Sequence, residues 1–266
     1  MISDIMENEN IQQYSVKNNI DFIKKEAEDN GVEPIVFPNQ KPSTKLLTLK
    51  ESLKVRMLNR PYTYDDLVIP FTNILHETWN KDFNDGINIE EYVEAKDYYT
   101  IFIGKAIAEH RLEQSLENIR LVFKIDGIPR YLTHQIVRHR RMTFSQESFR
   151  VVDIRNHPVI VPQTIATDNV LLHNYREAVE QCKLVYSYLV DAGIPPEEAR
   201  AVMPMGTATG IIMSTDLNAL LSYLNWRGAS ELVQPEHRFL AKAIYIAFKE
   251  HEPFLFSLVS KMIKDF

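Results

Sequence analysis

The chain has 266 residues, of which 45% are hydrophobic and 25% charged, with one cysteine and a formal charge of -6. That length and apolar content support one large core, or one core with a small appendage. A lone cysteine excludes an internal disulfide and a thiolate metal site, no segment approaches the ~18 apolar residues of a membrane span, and the acidic balance speaks against a nucleic-acid partner.

Met1 to Glu7 has neither the basic flank nor the apolar run of a leader, so a cytoplasmic location is expected. Residues 8–30 are polar and acidic with weak helical periodicity, end at Gly31, and lead through Pro34, Pro38 and Pro42 into 53–58, whose alternation predicts a strand. Residues 1–52 therefore read as an N-terminal extension and 53–266 as the main domain. Apolar periodicity predicts helices over 64–79, 89–116, 170–192, 217–226 and 235–251. Strands are expected at 119–125, where apolar and basic residues alternate, at the β-branched 159–161, and at the Thr- and Ile-rich 207–214. No G-x-G-x-x-G or G-x-x-x-x-G-K-[ST] loop is present, so a bound nucleotide would be held by side chains and helix ends.

The densest chemistry lies in Arg138-His139-Arg140-Arg141-Met142-Thr143-Phe144-Ser145-Gln146-Glu147-Ser148-Phe149-Arg150. Four arginines and a histidine on so acidic a chain imply an anion pocket, because guanidinium groups suit bidentate contact with phosphate or a pyrimidine edge. Arg138-His139-Arg140, seven residues and then Ser148 match the RHRx7S signature, and the chain resembles the flavin-dependent thymidylate synthases (ThyX). Phe123 to Arg130 followed by Thr133-His134-Gln135-Ile136-Val137-Arg138 is similar to the family's strand and helix leading into that signature. Gly193-Ile194-Pro195-Pro196-Glu197-Glu198-Ala199-Arg200 with Met203-Pro204, then Tyr223-Leu224-Asn225-Trp226-Arg227 and Gln234-Pro235-Glu236-His237-Arg238, resemble three further family segments.

The resemblance covers roughly 53–266 and implies an α+β fold, with a twisted, mainly antiparallel sheet and long helices, assembled as a homotetramer whose active sites draw on several subunits. It implies reductive methylation of dUMP, with methylenetetrahydrofolate as one-carbon donor and FAD, regenerated by NADPH, as reductant. Arg227 and Ser148 become the candidate catalytic residues. Arg130, Gln135, Arg138, Gln146, Glu147, Ser148, Arg150, Arg200 and Arg227 become the dUMP-binding set, with Arg150, Arg200 and Ser148 on the phosphate and sugar and Arg227 polarising the uracil. Arg138, His139, Arg140, Ser145, Asp216, Asn218 and Ser222 fall on the flavin side. No enzyme thiol is needed in this reaction, which suits Cys182 in a helical stretch as a core residue.

The sequence departs from the family mainly on the flavin and folate side. Asn118 replaces a common His, Asp216 and Asn218 replace an N-x-R pair, and Val151 replaces a Tyr; Ser222 and Glu231 also differ. Carboxylates at 216 and 231 and the missing cation at 218 are expected to weaken the hold on a pyrophosphate. Another C5 transfer on a pyrimidine nucleotide, such as hydroxymethylation, or a non-catalytic nucleotide-binding homologue, stays open. So do blander readings: the basic cluster as a solvated turn, Arg227 as a helix C-terminal cation, His139 as a structural hydrogen-bonding residue, Gln146 and Glu147 as turn residues, and Glu236 and His237 as capping and surface residues. The eight histidines are scattered without H-E-x-x-H spacing, so no metal is expected.

Overall fold

The computed structural model of this protein describes residues 44–62 and 113–264. The helix expected over 64–79, most of that over 89–116, and the extension up to residue 43 lie outside the described residues.

A four-stranded antiparallel sheet organises the rest. It comprises β2 (Lys54–Met57), β3 (Arg120–Pro129), β4 (Thr143–Gln146) and β6 (Ala208–Asp216), in the order β2-β3-β6-β4. A parallel pair, β1 (Leu46–Thr48) and β5 (Val159–Val161), stands beside it. Alternation makes β3 a strand: Leu121, Phe123 and Ile125 are fully buried while Val122, Lys124 and Asp126 between them are partly exposed. Phe123 lies opposite Met213 and Ile125 opposite Ile211, so β6 buries the same face.

Against that face pack α6 (Leu217–Arg227) and α7 (Pro235–His251), through Leu217, Leu220, Leu224, Leu240, Ile244 and Phe248. Asp216 starts α6 by accepting the Ala219 N–H at 2.7 Å, and Pro235 opens α7, where a missing N–H does no harm. A second, smaller cluster of Phe149, Ile154, Tyr186 and Ala199 joins the loop after β4 to α4 (Asn169–Asp191) and α5 (Pro196–Ala199). Asp168 caps α4, accepting from the backbone of Val170 and Leu171 at 2.8 and 3.0 Å. The remaining helices are α1 (Leu49–Ser52), α2 (Arg130–Ile136), α3 (Gln163–Ala166) and α8 (Pro253–Val259).

The strands and helices expected at 53–58, 119–125, 159–161, 207–214, 170–192, 217–226 and 235–251 are all present with ends shifted by a few residues. Three segments differ. Residues 113–116, expected to close a long helix, lie instead in a 3₁₀ turn, Glu113–Asn118. Thr143–Gln146, read as part of an anion pocket, is also an edge strand hydrogen-bonded to β6; its residues alternate only weakly in burial, so the pairing defines it. Leu46–Thr48 pairs with β5, and Leu49 is buried in the main core, so packing begins ahead of Leu53. Gly127, at φ 75°, lies in the irregularity of β3 between Ile125 and Ile128, where a Cβ would stand 2.1 Å from the Ser52 carbonyl oxygen.

Candidate functional site

The basic signature is a hard turn between α2 and β4. Arg138 N donates to the Gln135 carbonyl at 3.3 Å, His139 N to Ile136 at 3.1 Å and Met142 N to His139 at 3.0 Å. Buried Met142 pins the turn to the core, which leaves Arg138, Arg140 and Arg141 exposed and His139 half-buried. Arg138, His139, Arg140, Arg141 and Ser222 line a cleft of about 370 Å³.

Arg141 lies 2.8 Å from Glu117 and 3.2 Å from Asp216. The buried Asp216 carboxylate is thus engaged twice, by the Ala219 N–H and by Arg141. The sequence presents it as a charge opposing an anion; the structure presents it as a helix cap with its own counter-ion. Asn218 is in the first turn of α6 and Ser145 on the edge strand β4, and neither lines this cleft.

Behind the cleft, Arg227 Nε donates to His139 Nε2 at 3.0 Å. The His139 ring meets Tyr223 edge-on at 5.0 Å and His237 at 6.3 Å. Gln135 joins the group: its Oε1 is 3.2 Å from His237 Nδ1 and its amide donates to Gln234 at 2.6 Å. His237, expected at the surface near a helix start, is fully buried, because the first turn of α7 lies against Tyr223 of α6. Its Nε2 and the Tyr223 hydroxyl are buried without a partner among the described residues. Burial, then the charges of Arg227 and His139, pushes the His237 pKa down to about 3, and burial followed by Arg227 also lowers that of His139.

The other candidate residues gather elsewhere. Arg130, Phe149, Glu197 and Arg200 line a second cleft, also of about 370 Å³. The Arg130 guanidinium lies 4.6 Å from the Phe149 ring centroid and donates to the Glu147 carbonyl at 3.2 Å. Burial and the nearby Arg200 charge pull its pKa below the usual guanidinium range, yet it stays charged. Arg150 reaches the same edge, bound to Glu197 by Nε at 3.1 Å and by a terminal nitrogen at 3.0 Å, and Arg200 Nε donates to the Glu197 carbonyl at 3.1 Å. Ser148 Oγ accepts the Arg150 N–H at 3.3 Å.

Under this cleft the Glu147 carboxylate is braced by His157 Nε2 at 3.3 Å, and at 3.4 Å by the Thr209 hydroxyl and the Gly210 N–H. Lys183, fully buried on α4, donates to the His157 carbonyl at 2.8 Å, and burial lowers its pKa. Gln146 donates to the Thr133 hydroxyl at 2.9 Å, and that hydroxyl to the Arg130 carbonyl at 2.8 Å.

The structure therefore brings the sequence candidates together as two groups. Gln135, Arg138, His139, Arg140, Ser222 and Arg227 form one; Arg130, Glu147, Ser148, Arg150 and Arg200 form the other, with Gln146 tied to its base. Among the described residues, the two clefts share no lining residue. Helix α2 carries Arg130 at one end and Gln135 near the other, a span of roughly 7–8 Å along the axis. Tyr223, His157 and Lys183 have no place in the sequence reading, although Tyr223 sits inside a recognised segment. A lysine within an amphipathic helix gives no sign of burial. Cys182, half-buried on α4 with its thiol pKa raised by burial, is a poor nucleophile. Among the described residues, no helix is long and apolar enough to cross a membrane.

An antiparallel sheet backed by helices, with two arginine-lined clefts among the described residues, makes this an α+β protein. The model of the family described as "Thymidylate synthase complementing protein" matches residues 63–254, and the chain belongs to that family. A flavin-dependent thymidylate synthase of Geobacter sulfurreducens is 32% identical over 170 residues, 63% of this chain and 72% of that one. One of Thermococcus onnurineus is 30% identical over 133 residues, 48% of this chain and 54% of that one. The matches thus run from about half to nearly three quarters of the length of these relatives. The UMP/dUMP methylase PolB from Streptomyces cacaoi, solved with 5-Br dUMP, shares the fold with a TM-score of 0.61 at 18% identity, over 83% of this chain and 100% of that one.

Proposed function

We propose that this protein methylates C5 of dUMP, taking the carbon from methylenetetrahydrofolate and reducing equivalents from FAD that NADPH regenerates, and that each site is completed by two copies within a homotetramer. The observation that carries this reading is the division of the candidate arginines between two clefts, Arg138 and Arg140 in one and Arg130 and Arg200 in the other, that share no lining residue among the described residues. Among the described residues, the pair assigned to the dUMP phosphate, Arg150 and Arg200, and the arginine assigned to the base, Arg227, belong to different groups.

One copy contributes the phosphate half. Arg200 and Arg150 neutralise the monophosphate, Ser148 donates its hydroxyl hydrogen to it, and the braced Gln146-Glu147 segment orients the sugar. The second copy contributes the base half, where Gln135 and Arg138 position the ring and Arg227 faces its oxygens. Adding carbon at C5 drives negative charge onto O4 and O2, and a fixed guanidinium in a site shielded from water stabilises that charge more than it stabilises the ground state.

The flavin side passes a test of its donor set. Arg138, Arg140 and Ser222 line one cleft, and the Asp216 carboxylate that would oppose a pyrophosphate is already engaged by Arg141 and the α6 N-terminus. Arg138, Arg140 and Ser222 would hold FAD, with Asn218 in the first turn of α6 nearby. Bound there, the flavin supplies the hydride that reduces the transferred carbon to a methyl group.

The test is dTMP formation from dUMP with methylenetetrahydrofolate, FAD and NADPH, with product mass separating methyl from hydroxymethyl. Arg200→Ala and Arg227→Ala are each expected to lose ~10²-fold or more in kcat/KM. Refolded together in equal amounts they should recover roughly a quarter of wild-type activity, because that fraction of two-copy sites draws both intact arginines. A mixture as inactive as its parents refutes the shared site, and absence of any C5-modified product refutes the reaction.

A further inference from the structure

Arg227 is held in an unusual way. Its Nε–H donates to a histidine nitrogen, and its terminal nitrogens have no partner among the described residues. A carboxylate is the common partner for an arginine that must stay in place, but it neutralises the cation it fixes. A neutral imidazole nitrogen supplies direction without charge. Because guanidinium only donates, His139 Nε2 must be the acceptor, which places the ring proton on Nδ1.

Resting on the functional reading above, we infer that His139 is a positioning residue: as a neutral acceptor it aims the Arg227 fork at the pyrimidine while leaving its full charge available to the transition state. Three observations support this. The ring is walled edge-on by Tyr223 at 5.0 Å, interplanar angle 84°, and by His237 at 6.3 Å and 85°, so it has little room to turn. Both wall residues are fully buried, and they come from the two helices that carry the core. The charged and titratable groups around it are Arg227 and Tyr223 of α6, His237 of α7, and Arg138, Arg140 and Arg141 of its own turn. Among the described residues no carboxylate contacts the ring, Glu117 and Asp216 being paired with Arg141 instead, and burial with the Arg227 charge lowers the imidazole pKa and so favours the neutral ring.

The test compares wild type with His139→Gln, which keeps a neutral acceptor, and His139→Leu, which has none. Dissociation constants for dUMP are measured by calorimetry alongside kcat and KM, and the ¹⁵N shift of the His139 ring nitrogens is read in the ligand-free protein. The glutamine variant is expected within about 3-fold of wild type in dUMP affinity and kcat. The leucine variant should lose at least 10-fold in kcat and several-fold in affinity. The acid limb of wild-type kcat/KM, produced when a proton on Nε2 displaces the Arg227 bond, should move or vanish in the glutamine variant.

Nε2 should show the shift of an unprotonated acceptor at neutral pH, a readout that survives even if the leucine variant fails to fold. A protonated Nε2, or leucine and glutamine variants indistinguishable from wild type, overturns the role of His139. A wild-type protein that binds no dUMP overturns the functional reading and this inference with it.

Discussion

Lowering the pH should strip stability from this fold through one residue, His237. Its Nδ1 lies 3.2 Å from the Gln135 amide oxygen and so carries the ring proton, which leaves Nε2 as a buried acceptor with no partner among the described residues. A second proton would charge a fully buried ring beside Arg227 and His139, which is why the pKa falls to about 3. The unfolded chain titrates near 6.5, so between ~6.5 and ~3 the unfolded state binds the extra proton and the native state does not.

The stability is therefore present above that window and is lost as the pH falls through it, at a limiting slope of about 1.4 kcal/mol per pH unit. From pH 7 to pH 5 the loss is about 2 kcal/mol, or roughly 4–8 °C in Tm for a chain of this size. Urea unfolding of wild type and His237→Phe at both pH values, at fixed protein concentration, isolates the effect as the difference between the two pH dependences. The phenylalanine variant removes the titration, whatever it does to absolute stability. A double difference below ~0.5 kcal/mol, or one of opposite sign, would refute the burial argument.

Three other outcomes follow from the geometry. Gly127→Ala should lower stability by about 3 kcal/mol in thermal unfolding, combining a left-handed backbone with a Cβ driven against the Ser52 carbonyl. Asp216→Ala should cost about 1–2 kcal/mol by removing the α6 cap and one of the two carboxylates that hold Arg141, whereas Asp216→Asn, which keeps an acceptor for the Ala219 N–H, should recover most of it. Glu197→Gln releases Arg150 from an exposed ion pair, so dUMP should bind up to ~5-fold more tightly by calorimetry if Arg150 meets its phosphate.

The sheet and its covering helices were legible because their signals are local. The alternation through Leu121, Phe123 and Ile125, and Pro235 ahead of an apolar period, define their elements without help from distant residues. Thr143–Gln146 was not legible as a strand, since only its hydrogen bonds to β6 make it one. The arginines were legible as a set from their spacing. Their division between two clefts was not, because it depends on how α2 and the turn after it are carried on the sheet. His237 and Lys183 show the same limit. A polar residue near a helix start and a lysine within a helix are normally exposed, and only tertiary packing against Tyr223, or reach to the His157 carbonyl, places them inside.

The clasp between Arg141 and Asp216 ties the histories of two positions far apart in the chain. Exchange of the arginine alone would take the counter-ion from a buried carboxylate, and exchange of the carboxylate alone would leave the guanidinium to Glu117 at the mouth of the cleft. Lineages in which one of the two has drifted are expected to have altered the other as well, so residues 141 and 216 should travel as a unit.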